Sequence, residues 1–175
     1  NESSGTILVN NNEEIMENRI ITGISYSKND VRITLVKMPD HSGLSAIIFG
    51  ALSQEGINID MIVQNISADG NFIDITFTTS KEEVERAKIA IKSKEKEIKY
   101  EELKIEDNIA KISVIGVGMI SNTGVAHTMF KTLASKGINL SLISTSEIKI
   151  SVLIEKEYGE LAVRALHEAF GLSVN

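Results

Sequence analysis

The spacing of hydrophobic residues changes along the chain, and each spacing predicts a different element. Apolar residues occupy every second position across residues 31–35, which indicates a half-buried strand. Across residues 44–52 they recur at helical spacing, and Gly56 follows as a left-handed helix end would. Alternation returns across residues 57–77 on both sides of a turn at 68–71, which predicts a hairpin.

A second helix and a last strand complete this unit. Ser80 and Glu83 have the spacing of a capping box, ahead of apolar positions at helical spacing in residues 84–91. A short strand is predicted near residues 98–105. The order β-α-β-β-α-β is that of the ferredoxin-like split βαβ unit. The predicted fold class is therefore α+β, with an antiparallel sheet that carries its helices on one face.

The same unit occurs twice. Shifted by 81 positions, Met38 lies over Met119, and the triplet Gly56-Ile57-Asn58 lies over Gly137-Ile138-Asn139. A repeat of this size indicates a duplicated small domain rather than a solenoid. The second copy predicts a helix from about Thr123, hairpin strands at 139–145 and 148–154, and a last helix that buries apolar residues of 158–170.

The second copy ends before its fourth strand, whereas a spare strand at 19–26 precedes the first copy. We therefore predict that residues 19–27 and 107–175 form one domain and that residues 28–106 form another, inserted within it. Residues 1–18 are polar and are interpreted as a linker. Because the chain begins with Asn1, we expect it to be cut from a longer polypeptide.

Composition narrows the possible functions. The net charge is −6 and aromatic residues make up 5% of the chain, so nucleic acid is not an expected partner. Cysteine is absent, which excludes disulfides, thiolate catalysis and thiolate metal sites. The apolar runs are too short for a membrane span, and a charged leader is missing. A cytoplasmic location and no membrane contact are expected.

Catalytic motifs are also missing from the sequence. The three histidines, His41, His127 and His167, have no suitable metal-ligand partner at helical spacing. The glycines at 116–124 do not match a dinucleotide fingerprint, because the third comes too late. Neither a phosphate-binding loop nor a nucleophile with its base is present. We therefore expect no catalytic residues, no metal and no cofactor in this chain.

A polar turn between the first strand and the first helix of each unit is the candidate binding site. Residues 38–45 and 119–126 place a glycine beside a helix start, where free N–H groups suit a carboxylate. Ordinary helix capping by Ser42 and Thr123 is the alternative interpretation. The adjacent strands carry polar side chains that could hold an ammonium group, namely Asp60, Gln64, Asn65, Ser144, Ser146 and Glu147.

Four segments carry a family resemblance: MPDHSGLSAIIFGALSQEGINIDMIVQNIS, DITFTTS, ISTSEIKISVLI and AVRALHEAFGL. They resemble the regulatory region of aspartokinases, which is built from two ACT domains, and the likeness runs from about Gly5 to Leu172. The segment at 5–9 resembles the connection to the kinase domain. That domain, which uses ATP and Mg, has no counterpart in this sequence.

The resemblance implies a regulatory role without chemistry of its own. An aspartokinase regulatory region binds lysine, threonine or both and inhibits aspartate phosphorylation by the catalytic domain or α subunit. A homodimer through the ACT domains is also implied. Family effector contacts correspond here to Met38, Asp40, Gly43, Leu44, Ser45, Asp60, Gln64, Asn65, Ala126, Asn139, Leu140 and Ser146.

Two other hypotheses stay open. The chain could be an ACT-bearing regulator of another biosynthetic enzyme, such as the small subunit of acetolactate synthase, which would respond to valine. It could also be a free-standing enzyme on a ferredoxin-like scaffold, although no catalytic constellation supports that. Binding of lysine, threonine, methionine or valine would separate the first two.

Overall fold

The computed structural model describes residues 21–117 and 123–172. The predicted linker at 1–18 lies outside these residues. Within the described part, the chain forms two compact units. We call Ser27–Ala110 the first module and residues 21–26 with 111–172 the second module.

The first module has the predicted βαββαβ order. Its elements are β2 (Asp30–Pro39), α1 (Leu44–Gln54), β3 (Asp60–Ile66), β4 (Phe72–Ser80), a 3-10 turn (Lys81–Glu83), α2 (Val84–Ser93), α3 (Glu95–Ile98) and β5 (Glu102–Glu106). Its sheet has the strand order β3-β4-β2-β5, and the pairs β2–β4, β3–β4 and β2–β5 are antiparallel.

The core of this module explains why its elements pack as they do. Alternate residues of β2 and β4 face the helices, and Ile33, Leu35 and Phe77 are completely buried. Phe77 meets Phe49 of α1 edge to face, with ring centroids 5.8 Å apart. Burying these side chains is the main favourable term for the module.

Two sequence predictions in this module are wrong in detail. The Ser80 hydroxyl makes no capping bond; it donates to the Glu83 carboxylate at 3.4 Å, so the capping box does not form. The last strand begins at Glu102 rather than near Ile98. Ile98 ends α3 and is completely buried, which adds an apolar anchor that a Lys- and Glu-rich stretch does not announce.

The second module contributes the other sheet, formed by β1 (Ile21–Ser27), β6 (Ile109–Gly116), β7 (Leu142–Thr145) and β8 (Lys149–Glu155) in the order β1-β6-β8-β7. The strand that precedes the first module in sequence, β1, therefore lies beside β6. The first hairpin strand begins three residues later than the predicted 139–145 and is shorter, whereas the second is displaced by one residue from the predicted 148–154 and has the same length. The helical elements are α4 (Thr123–Ser135), a 3-10 turn (Lys156–Tyr158) and α5 (Gly159–Ala169).

Two close contacts characterise this second sheet and its last helix. The hydroxyls of Ser113 on β6 and Ser151 on β8 are hydrogen-bonded at 2.7 Å, and both residues are buried. Gly159 begins α5 directly against the ring of Tyr26, so that a Cβ at Gly159 would overlap the Tyr26 ring. Across the described ranges, no helix is long and apolar enough to cross a membrane.

Candidate functional site

The turn from β2 into α1 is built around a left-handed glycine. Gly43 precedes the helix with φ 88° and ψ −7°, and no side chain caps the helix start. The predicted alternative, capping by Ser42, is therefore wrong. The Leu44 amide reaches the His41 carbonyl at a long 3.4 Å. The amides of the first turn consequently remain available for an anionic group.

The space above this turn is open. A Cβ built on Gly43 would meet no heavy atom within 4 Å. Glycine is therefore required by its positive φ and not by crowding. Asp40, Gly43 and Ser45, three of the predicted effector contacts, are exposed around this opening. An approaching carboxylate would find backbone N–H groups without a side chain in the way.

Two other predicted contacts in the turn face the opposite way. Met38 is completely buried and Leu44 is 1% exposed, so both side chains belong to the core of the first module. In this arrangement they can touch a ligand only through their backbone atoms. Their side chains instead fix the two ends of the turn.

Three polar contacts connect the turn and the end of β2 to β4 and to the residues directly before β4 and β5. The Asp40 amide donates to the Asn71 carbonyl at 3.1 Å, and the Lys37 amide donates to Asp74 Oδ1 at 2.7 Å. Lys37 Nζ lies 2.9 Å from Glu101 Oε2. This hydrogen bond and the charge of Glu101 raise the pKa of the Lys37 ammonium.

Strand β3 supplies polar residues at both of its ends. Gln64 pairs with Ile75, and Asn65 pairs with Asp74, at the end of the sheet where the turn lies. Asp60 pairs with Thr78 at the other end, which is about 16 Å away at the rise of a strand. The first module by itself thus brings Asp40 and Asn65 to one end, but not Asp60.

Asp60 instead lines a separate cleft of about 480 Å³ with Asn58, Glu83 and Arg86. The Glu83 carboxylate accepts the Asn58 amide at 3.1 Å and the Thr79 hydroxyl at 3.1 Å. These bonds tie the start of β3 to the start of the second helix. The polar groups at this end of the sheet therefore have a clear structural use.

The corresponding turn in the second module falls largely on residues 118–122, outside the described part of the chain. Ala126 is half-buried in the first turns of α4. Asn139 and Leu140 lie just before β7 rather than within it. Ser146 lies in the turn between β7 and β8, and not on a strand as predicted; its Oγ accepts the Lys149 amide at 3.2 Å.

Two residues near the turn were missed from the sequence. Asp74 and Asn71 fasten the loop, yet neither was singled out. The signal that could have found Asp74 is its position inside a strand, where aspartate is disfavoured unless its carboxylate has a partner. Its neighbours Ile73 and Ile75 are buried, so Asp74 is on the opposite face of the sheet.

In residues 21–117 and 123–172, no group of three or more His, Cys, Asp or Glu side chains could hold a metal ion. His41 is exposed and its Nδ1 lies 3.1 Å from the Ser42 carbonyl oxygen. His127 is exposed on α4 and His167 is half-buried on α5.

Two sheets of this topology, together with the glycine turn between the first strand and first helix of the first module, define a class of protein fold. The sequence matches the ACT domain family twice, over residues 31–94 and 112–170. The chain therefore belongs to the ACT domain family. This agrees with the predicted ferredoxin-like fold of two ACT domains.

Relatives narrow the class to the regulatory region of aspartokinases. The chain is 45% identical over 171 residues to the aspartate kinase of Pseudomonas putida, covering 98% of this chain and 41% of that protein. It is 46% identical over 175 residues to the aspartokinase of Helicobacter pylori, covering 98% of this chain and 42% of that protein. The chain thus spans about two fifths of these curated relatives.

Solved structures give the same result over their whole length. The regulatory subunit of aspartate kinase from Thermus thermophilus, in its ligand-free form, superposes with a TM-score of 0.81 at 38% identity. A structure of aspartokinase alpha and beta subunits matches with a TM-score of 0.78 at 40% identity. In each case the match covers 86% of this chain and 99% of the other.

Proposed function

We propose that this chain is the part of an aspartokinase that senses lysine, threonine or both and thereby inhibits the phosphorylation of aspartate. The observation that carries the proposal is the uncapped helix start behind Gly43, which has a left-handed backbone and open space above it. Kinship with aspartokinase regulatory subunits supports the choice of ligand class. The chemistry itself would belong to a catalytic domain or α subunit that uses ATP and Mg.

The ligand's two charged ends have suitable partners around the turn. Its carboxylate would accept hydrogen bonds from the backbone N–H groups of Ser45 and the following residue, where the helix dipole also favours negative charge. Its ammonium would lie near the exposed Asp40 carboxylate. Gln64 and Asn65 lie at the same end of the sheet and would exchange hydrogen bonds with a polar side chain of the ligand.

The distance between Asp60 and the turn favours a site shared by two modules. Asp60 belongs to the predicted contacts but lies at the far end of its own sheet. A neighbouring module could bring it, or its second-module counterparts near Asn139 and Leu140, to a ligand. We therefore propose a homodimer through the ACT domains in which effector sites form between chains.

Exposed isoleucines on corresponding strands support this dimer. Ile62 on β3 is 55% exposed and Ile143 on β7 is 46% exposed, and the two occupy equivalent positions of the repeat. In the described strand orders, β3 and β7 each lie at the end of a sheet. A sheet edge with apolar side chains is a surface that proteins cover by association.

Inhibition would follow from coupling between effector binding and the arrangement of the modules. An effector that binds one arrangement better than another shifts the population toward it. An affinity ratio of tenfold to a hundredfold corresponds to about 1.4–2.7 kcal/mol, which suffices for useful feedback. The same coupling requires that the inhibited state of the kinase raise effector affinity.

Calorimetry on the purified chain tests the proposal. Lysine or threonine should bind, methionine and valine should not, and Asp40→Ala should weaken binding at least tenfold. Glu85→Ala is the matched control, because Glu85 is also an exposed carboxylate but lies on α2 beside Lys88. With the catalytic part attached, Asp40→Ala should leave the kinase active when lysine or threonine is added.

The alternative regulators give distinct results in the same experiment. Binding of valine alone would favour a regulator of acetolactate synthase. Absence of binding by all four amino acids at millimolar concentration would contradict an effector role. We also propose a cytoplasmic location, because a biosynthetic kinase acts there and the chain contains no cysteine.

A further inference from the structure

Strand β2 contains a bulge immediately before the glycine turn. The pairing of β2 with β4 shifts between Leu35 and Met38, and Lys37 has a positive φ of 53°. This conformation is uncommon for a residue other than glycine, asparagine or aspartate. Such a conformation persists where surrounding contacts hold it in place.

The bulge determines which residues face the core. Side chains of a strand alternate, so without the bulge Leu35 and Lys37 would face the helices and Met38 would face outward. With the bulge, Met38 is completely buried and Lys37 is exposed. The extra residue therefore sets the phase in which β2 enters the turn that leads to Gly43.

Asp74 holds the bulge from the neighbouring strand. Its Oδ1 accepts the Lys37 amide at 2.7 Å, an amide that the shifted ladder does not pair with β4. Contacts of the lysine side chain add to this: Nζ lies 2.9 Å from Glu101 Oε2 and 5.3 Å from the centroid of the Phe72 ring. A hydrogen bond from an amide to an ionised carboxylate is shorter and stronger than one to a neutral acceptor.

Asp74 also links the two halves of the proposed effector site. On one side it pairs with Asn65 of β3, and on the other it bonds the residue before Met38. We propose that Asp74 is a positioning residue for effector binding, which holds the Lys37 bulge and thereby aims the turn 38–43 at the ligand. This inference rests on the proposed function, and Asp74 itself need not touch the effector.

The test compares four variants of the full chain by calorimetry with lysine and threonine. Asp74→Ala should weaken binding at least tenfold, about 1.4 kcal/mol. Asp74→Asn, which keeps an oxygen acceptor, should weaken it less. Adding Lys37→Gly to Asp74→Ala should restore most of the affinity, because glycine adopts the positive φ without the clamp.

Glu106→Ala serves as the matched control. It removes a carboxylate from the same module that is bonded to Arg32 at 2.7 Å and 2.8 Å, away from the turn. Glu106→Ala should lower the melting temperature of the chain without weakening effector binding. Rescue by Lys37→Gly is the outcome that a merely destabilised module would not show.

Amide exchange of residues 37–43 separates this inference from the proposed function. In Asp74→Ala the Lys37 amide should exchange faster than in the unaltered chain, and unchanged exchange would overturn the positioning role. Faster exchange with unchanged effector affinity would overturn it too. If the unaltered chain binds neither amino acid, the proposed function fails, and the positioning of the turn is then decided by exchange alone.

Discussion

Replacing Gly43 by alanine gives the sharpest test of the site, because the chain offers a matched glycine on the same helix. Gly43 precedes α1 with φ 88°, and Gly56 follows it with φ 65°. A Cβ at either position would meet no heavy atom within 4 Å. Both substitutions therefore cost conformational strain alone, without overlap.

The expected stability effects are consequently similar. A left-handed alanine costs about 1–2 kcal/mol, and the stiffer unfolded chain returns about 0.4–1 kcal/mol. The net loss is about 1 kcal/mol for Gly43→Ala and for Gly56→Ala. In a chain of this size, that lowers the melting temperature by about 2–4 °C.

The binding effects should differ sharply. Alanine at Gly43 relieves its strain by moving φ to negative values, which redirects the first amides of α1. We expect lysine or threonine affinity to fall at least tenfold for Gly43→Ala and to stay unchanged for Gly56→Ala, measured by calorimetry alongside thermal melts. Equal affinity for both variants would refute the assignment of the ligand carboxylate to this helix start.

Three further predictions concern packing and charge. Ser113→Ala should lower the free energy of unfolding by about 1–3 kcal/mol in chemical denaturation, because it leaves the buried Ser151 hydroxyl without its hydrogen-bond partner. Adding Ser151→Ala should recover part of the loss, and purely additive effects of the two substitutions would contradict this. Gly159→Ala should lose about 1–3 kcal/mol through overlap with the Tyr26 ring, and Tyr26→Ala should make the same change milder in thermal melts; an identical cost in both backgrounds would argue against the contact. The Asp69 carboxylate accepts hydrogen bonds from the Ser67 hydroxyl and the Asn71 amide, and these bonds lower the pKa of Asp69 to about 2, which NMR titration should show. Because this pKa is depressed in the folded state, the contribution of Asp69 to stability is present above its ordinary pKa of 3.8 and is lost as the pH falls toward 2.

Periodicity was sufficient for the elements whose burial is regular. Alternation across residues 31–35 predicted a strand and helical spacing across 44–52 predicted a helix, and the structure has β2 and α1 there. Gly56 has the left-handed backbone expected after the helix. The fold class followed from the order of these elements and their repetition. Local pattern determines such elements because one face of each is buried in the same core.

The errors occur where a specific hydrogen bond overrides the local pattern. Lys37 has a positive φ and its amide is bonded by Asp74 of another strand, and alternation cannot anticipate either feature. Ser80 bonds a carboxylate where the spacing predicted a cap. The glycine and the polar residues of the site could be identified from the sequence. The burial of Met38 could not, because it depends on the bulge in β2.

The position of β1 beside β6 has a consequence for the order in which the chain folds. The second sheet needs strands separated by the entire stretch Ser27–Ala110, whereas the first module consists of one continuous stretch. Arg32 pairs with Glu106, so folding of the first module brings its two ends side by side. Each halving of a loop saves about 0.6 kcal/mol, and about three halvings would favour the later pairing by about 2 kcal/mol. The turn after β2, where we propose that the effector binds, therefore belongs to the module that can form first, and the pairing of β1 with β6 would follow it.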